Sequence, residues 1–168
     1  MLHLVRRRFD LLGVGEPATV AEKKKRVVWD GGCLAAGSMA AVVHDMMGRT
    51  EPEIIGSMNA GTFYLVNLGG DGSASLTLRV IDFVEPMLPS REFAKTLAVS
   101  DVGWLNIEDG VLMAGAAETL EDGAQLAVAP GRYLVRLFSI GSISSSRLVF
   151  VACRSHSPVE ALRGVPAL

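Results

Sequence analysis

The side chains that chemistry most often uses are sparse in this chain: three histidines, His3, His44 and His156, and two cysteines, Cys33 and Cys153. A serine or cysteine nucleophile would need one of those histidines as its base. His44 and Asp45 are neighbours in sequence, so on a strand or a helix their side chains point in different directions and adjacency alone makes no dyad. Cys153 and His156 fit better as a buried thiol and an exposed imidazole at the end of a strand. The cysteines lie in no C-x-x-C or Cys/His zinc spacing, and both read as buried free thiols. No metal or cofactor site is defensible. The carboxylate pairs Glu108-Asp109 and Glu121-Asp122 are the right type for acid/base work, yet each directly precedes a glycine, which is turn chemistry. Gly13-Val14-Gly15-Glu16-Pro17-Ala18 mimics a dinucleotide fingerprint only loosely, with Pro17 inside the phosphate-binding turn. Gly69-Gly70-Asp71-Gly72 is followed by neither Lys-Ser nor Lys-Thr, as a phosphate cradle requires.

Charge is distributed more tellingly than it is summed. The chain carries a net −2. Residues 1 to 26 hold seven basic and three acidic side chains, residues 27 to 131 hold four and fourteen, and residues 132 to 168 hold five and one. Between Lys95 and Arg132 there is no basic residue, while Asp101, Glu108, Asp109, Glu118, Glu121 and Asp122 fall in that interval. Converging on one face, these acids would steer a basic partner over a Debye length of about 8 Å and repel nucleic acid. Trp104 lies among them and has the type of an interface anchor. The competing reading makes Trp104 core and the acids solvated turn residues.

The elements that must position these residues read as mainly β. Thr62 to Leu68 is rich in strand formers, Gly69 to Gly72 supplies a turn, and Leu76, Leu78 and Val80 then alternate with polar residues, which predicts a hairpin. Trp104-Ile107 and Val111-Met113 around Glu108-Asp109-Gly110 predict a second, and Tyr133-Ile140 and Arg147-Cys153 around a Ser-rich turn a third. In the Tyr133 strand, Leu134, Arg136 and Phe138 share one face and Tyr133, Val135 and Leu137 the other. One short helix is expected after Pro89, with Ser90 as N-cap, Glu92 in the first turn, and Phe93 and Leu97 on one face. Ala18 to Arg26 reads as a second helix or a charged linker, with Lys23 to Arg26 solvated. The expected architecture is an antiparallel β-sandwich, jelly-roll-like, with one or two short helices. It is taken as a single domain over 1–168, with 1–26 a basic N-terminal segment and 157–168 a tail expected to fray.

The chain has 168 residues, 49% of them apolar and 20% charged, which is too apolar for a disordered tail and sufficient for one core. The apolar stretch from Cys33 to Val43 is interrupted by Gly37 and Ser38, short of the roughly 20 residues of a membrane helix. The start, Met1 to Asp10, holds Arg6, Arg7 and Arg8 with no apolar run after them, so a cytoplasmic location of bacterial type is expected.

Leu88-Pro89-Ser90 through Leu105, Gly110-Val111-Leu112, and above all Val128-Ala129-Pro130-Gly131-Arg132-Tyr133-Leu134-Val135-Arg136 resemble the pattern of competence protein J-like nuclease inhibitors and related polymorphic-toxin immunity proteins. In those, a helix leads into strands and a proline-glycine-x-tyrosine turn opens a late strand. The resemblance covers roughly residues 50 to 155 and has no counterpart before them. It implies a non-catalytic binding protein that blocks a toxin or nuclease. With the charge map, it predicts an immunity protein that occludes a protein toxin with a basic surface, using Asp101, Trp104, Glu108, Asp109, Glu121 and Asp122, with no cofactor, nucleic acid or membrane partner. Two other readings stand beside it. One is a small β-sandwich enzyme or carbohydrate-binding module with a pocket at His44 or His156. The other is a structural oligomer subunit with an apolar edge at Leu76-Leu78-Val80.

Overall fold

The computed structural model describes residues 15–38, 49–142 and 145–168. His3, His44 and the arginines at 6 to 8 fall outside them. In chain order the elements are β1 (Ala18–Trp29), β2 (Cys33–Ser38), α1 (Glu51–Asn59), β3 (Phe63–Asn67), β4 (Gly72–Asp82), α2 (Ser90–Phe93), β5 (Thr96–Val99), β6 (Gly103–Ile107), β7 (Val111–Ala116), a 3-10 segment (Ala117–Asp122), β8 (Ala124–Ala127), β9 (Gly131–Ser142) and β10 (Ser145–Arg154). Sheet A runs β1-β4-β10-β9-β5, with β6 also on β9; sheet B runs β3-β2-β7-β8. The two sheets make the expected sandwich. Among the named strands of the described residues, the departure from antiparallel pairing is β10 beside β4, where Leu148 to Cys153 run parallel to Leu76 to Ile81.

Period-2 alternation builds the interior. From sheet A, Leu76, Leu78 and Val80, Tyr133, Val135 and Leu137, and Leu148 and Phe150 face inward. Leu34, Ala36, Tyr64, Val66, Leu112 and Ala114 of sheet B meet them. The alternate residues Leu134 and Phe138 fall on the outer face of sheet A, where Leu88 and Phe93 cover them. The apolar edge expected at Leu76-Leu78-Val80 is therefore absent, because these side chains are core.

Two of the three expected hairpins are crossovers between sheets. β3 pairs with β2 in sheet B and β4 with β1 in sheet A, so the Gly69-Gly70-Asp71-Gly72 turn carries the chain across the core. The Glu108-Asp109-Gly110 turn does the same between β6 and β7. The third, β9 to β10, is a true hairpin in which Ser142 opposes Ser145. Turn residues allow the reversal in each case, but burial of both flanking strands on facing sheets decides the pairing.

Ala18 to Arg26 is neither helix nor linker but part of β1, paired with β4 along its length. Its outward Glu22 accepts the Arg79 Nε at 2.8 Å, and Glu92 of α2 accepts Arg79 Nη1 at 2.7 Å. Arg147 Nη2 lies 2.7 Å from the same Glu92, so four charged residues tie α2 to β1, β4 and β10. The helix after Pro89 exists only as Ser90–Phe93, with Pro89 as N-cap, while Leu97 lies exposed in β5. The longer helix, α1, starts at a capping box in which the Thr50 amide donates to Glu53 Oε2 at 2.9 Å.

Residues 157–168, expected to fray, run as a strap from the outer face of sheet A to the β3 edge of sheet B. Arg132 Nη1 donates to the Ser155 and Ser157 carbonyls at 2.9 and 2.8 Å. Asn59 and Leu162 exchange two bonds of 3.0 and 2.8 Å. Asn67 then pairs with the strap through its amide to Pro166 O at 2.8 Å and its carbonyl from the Leu168 amide at 3.2 Å. Proline and glycine composition suggested a loose end, but Val159, Leu162 and Val165 are anchored in apolar clusters.

Candidate functional site

The chain traverses the sandwich repeatedly, so the ends of the strands form two poles. At one pole, three connections meet. Trp29 Nε1 donates to Gly70 O at 2.8 Å, and the Leu68 amide donates to Gly32 O at 2.7 Å, which joins the β1–β2 and β3–β4 connections. The Asp30 amide donates to Glu118 Oε1 at 2.7 Å, which joins the 3-10 segment to the same loop. Asp30, Asp71, Glu118, Glu121 and Asp122 are all exposed on these connections. Arg26, which donates to Ser73 Oγ at 3.0 Å, lines the cleft beside Asp122.

The six residues named from sequence do not share one surface. Glu121 and Asp122 lie on this pole. Glu108 and Asp109 lie in the β6–β7 connection at the opposite end of β7, a six-residue strand of about 20 Å. There Asn106 Nδ2 donates to Glu108 Oε1 at 3.0 Å and the Val111 amide to Asp109 Oδ1 at 3.1 Å, so each carboxylate holds local turn structure. Asp101 is exposed on the flank, in the kink between β5 and β6. Trp104 is half-buried: its indole N–H donates to Asn59 O at 3.1 Å, and the Arg132 guanidinium sits over its ring at 5.3 Å. The indole thereby joins β6 to the end of α1, a fastening position for which sequence offered no sign. Asp30 and Asp71 belong to the acidic pole and were missed. Their signal was local, since each sits beside glycines in a turn, but convergence of three separate turns is a property of the topology.

The kink that carries Asp101 is held from beneath. Tyr64 donates its hydroxyl to the Asp101 carbonyl and lies 2.7 Å from Ser100 Oγ, which also accepts the Leu137 amide at 3.0 Å. Burial raises the Tyr64 phenol well above its ordinary range, so it stays a neutral donor. Gly103 makes room for this ring, because a Cβ there would lie 2.3 Å from Tyr64 Cδ2.

Nucleophilic chemistry finds little support around these groups. Cys153 is buried and its thiol is pushed up to about 12 by burial, while Cys33 is only half-buried, contrary to the expectation of two buried thiols. His156 is exposed three residues beyond Cys153. Among the described residues, no three His, Cys, Asp or Glu side chains are grouped to hold a metal ion. No helix of the described residues is long and apolar enough to cross a membrane.

No protein-family model matches the chain, and no curated protein sequence does. Solved structures share the fold. The protein described as crocagin biosynthetic gene J superposes with a TM-score of 0.59 at 12% identity, over 80% of this chain and 99% of that one. ComJ from Bacillus subtilis, an inhibitor of the DNA-degrading activity of NucA, superposes with a TM-score of 0.51 at 7% identity, over 83% of this chain and 99% of its own. The likeness to competence protein J-like proteins read from the sequence is thus borne out as a likeness of fold.

Proposed function

We propose that this chain is a non-catalytic inhibitor that binds a nuclease or nuclease-like toxin and blocks its access to nucleic acid. The observation that carries the reading is the fold shared with ComJ, over 83% of this chain, an inhibitor of the DNA-degrading activity of NucA. The docking surface in this reading is the pole formed by Asp30, Asp71, Glu118, Glu121 and Asp122. A nuclease needs a cationic cleft to hold phosphates, and five carboxylates on tied loops complement such a cleft. Glu108 and Asp109 at the far pole take no part. The partner is a protein with a basic surface, and the encounter takes place in the cytoplasm.

The test uses the purified chain as bait in an extract of its source cells. The captured protein is identified by mass spectrometry, and its digestion of plasmid DNA is followed while free chain is added. Digestion should fall to background at one equivalent. A captured nuclease that stays fully active, or captured proteins that include no nuclease, overturns the proposal.

A further inference from the structure

Between the C-terminal strap and the flank of sheet A lies a groove of about 600 Å³, within the size range of small-molecule sites. Arg136 of β9 is half-buried at its floor. Its Nε donates to the Ser100 carbonyl at 2.6 Å, which fixes the plane of the guanidinium. Its two Nη atoms have no hydrogen-bond or ion-pair partner among the described residues. Burial pushes the guanidinium below its ordinary range, and the Asp101 and Glu85 carboxylates, near enough to act through their charge, only partly offset this. The guanidinium is half-buried and its Nη donors open onto the groove, where a carboxylate could replace their water with two charge-assisted hydrogen bonds.

A simple anion would meet the two carboxylates, and a simple cation would meet the arginine. A molecule with both charges satisfies all three groups. Leu134, Val102 and Val159 line the same groove and offer an apolar surface beside the charges. We propose that the groove binds a small zwitterion, an α-amino acid with an apolar side chain. Its carboxylate sits on the Arg136 Nη atoms, its ammonium faces Asp101 and Glu85, and its side chain lies on Leu134 and Val159. This site is separate from the acidic pole and does not depend on the inhibitor reading.

The test is titration of the whole chain with L-leucine, followed by calorimetry and by amide shifts at Leu134 and Val159. Isovalerate, which lacks the ammonium, and isoamylamine, which lacks the carboxylate, serve as comparisons. L-leucine should bind saturably with a Kd below about 10 mM, and each comparison compound at least about tenfold more weakly. Asp101→Asn, at an exposed side chain, and Arg136→Lys should each weaken L-leucine binding by about tenfold or more. Because Arg136 also holds Ser100, Asp101→Asn keeps the test decisive if Arg136→Lys does not fold. Absence of saturation by about 10 mM, equal binding of the three compounds, or unchanged affinity in Asp101→Asn overturns the proposal.

Discussion

The Asp30 amide is bonded to the Glu118 carboxylate across 88 residues of sequence, at 2.7 Å. That single contact brings the 3-10 segment, with Glu121 and Asp122, against the β1–β2 connection and its own carboxylate. The acidic pole is therefore a fixed arrangement of loops, not a set of independent tails.

If this pole receives the basic partner, the two ends of the sandwich respond differently to charge reversal. Glu121→Lys with Asp122→Lys should slow association with the captured nuclease by about tenfold at low ionic strength, with the effect shrinking toward 0.5 M salt, where the Debye length is about 4 Å. Glu108→Lys with Asp109→Lys should leave the rate within about twofold. Stopped-flow association of the wild-type chain and the two double variants reads this directly, and equal slowing by both pairs removes the assignment of one pole.

Arg79 is the hub of the charged cluster on the outer face of sheet A. Its side chain is 6% exposed, against 30% for Glu22 and 23% for Glu92, so the cation is desolvated while the acids retain some water. Arg79→Ala should cost about 2–4 kcal/mol in urea denaturation, toward the lower part of the range for broken buried pairs because the stranded acids are partly hydrated. Lys24→Ala, at a 3.8 Å contact with Glu22 and 61% exposed, should change stability by less than about 0.5 kcal/mol.

Cys153 sets an alkaline limit. Burial, then the Glu85 carboxylate, raise the thiol from an ordinary 9.0 to about 12, with the Leu134 backbone opposing. The unfolded chain releases this proton near pH 9 and the folded chain only near pH 12, so the stabilising contribution is intact below pH 9 and is lost as pH rises between those values. Urea midpoints should fall with pH above about 9, and Cys153→Ala should flatten part of that fall, with Tyr64, Tyr133 and Cys33, which burial also raises, contributing to the remainder. In the native protein a thiol reagent at pH 8 should modify Cys33 well before Cys153.

Gly61 and Gly56 make a matched pair. A Cβ at Gly61, where φ is +76°, would lie 2.5 Å from Trp104 Cζ3, whereas one at Gly56 meets nothing within 4 Å. Gly61→Ala should destabilise by about 2–4 kcal/mol and shift tryptophan emission, from combined overpacking and left-handed backbone. Gly56→Ala, inside α1, should stabilise by about 0.5–1 kcal/mol.

What the sequence disclosed follows how local each signal is. Strand β9 was legible because Leu134 and Phe138 alternate with Tyr133, Val135 and Leu137, and its hairpin to β10 needs only a short turn. The crossovers at Gly69 and Glu108 were not, because a turn residue specifies that the chain reverses and not which sheet receives the next strand. β1 was hidden by Lys23, Lys24 and Lys25, which place charge on both faces of a strand at the sheet margin. Helix α1, which lies outside the sequence-based expectations, is marked locally by its cap at Thr50 and Glu53. Of the named site residues, Glu121 and Asp122 reached the acidic pole, while Trp104 turned out to fasten α1 through Asn59.

The parallel pairing of β10 with β4 has a consequence for biosynthesis. β10 is flanked in sheet A by β4, made some seventy residues earlier, and by β9, made just before it. On the ribosome the β1–β4 ribbon must therefore wait with one margin open until residue 154 has left the exit tunnel. Contacts this distant in sequence slow folding and lengthen the exposure of unpaired backbone. Vectorial synthesis thus places the greatest aggregation hazard late, and the lysines along β1 guard the opposite margin of the same ribbon during that interval.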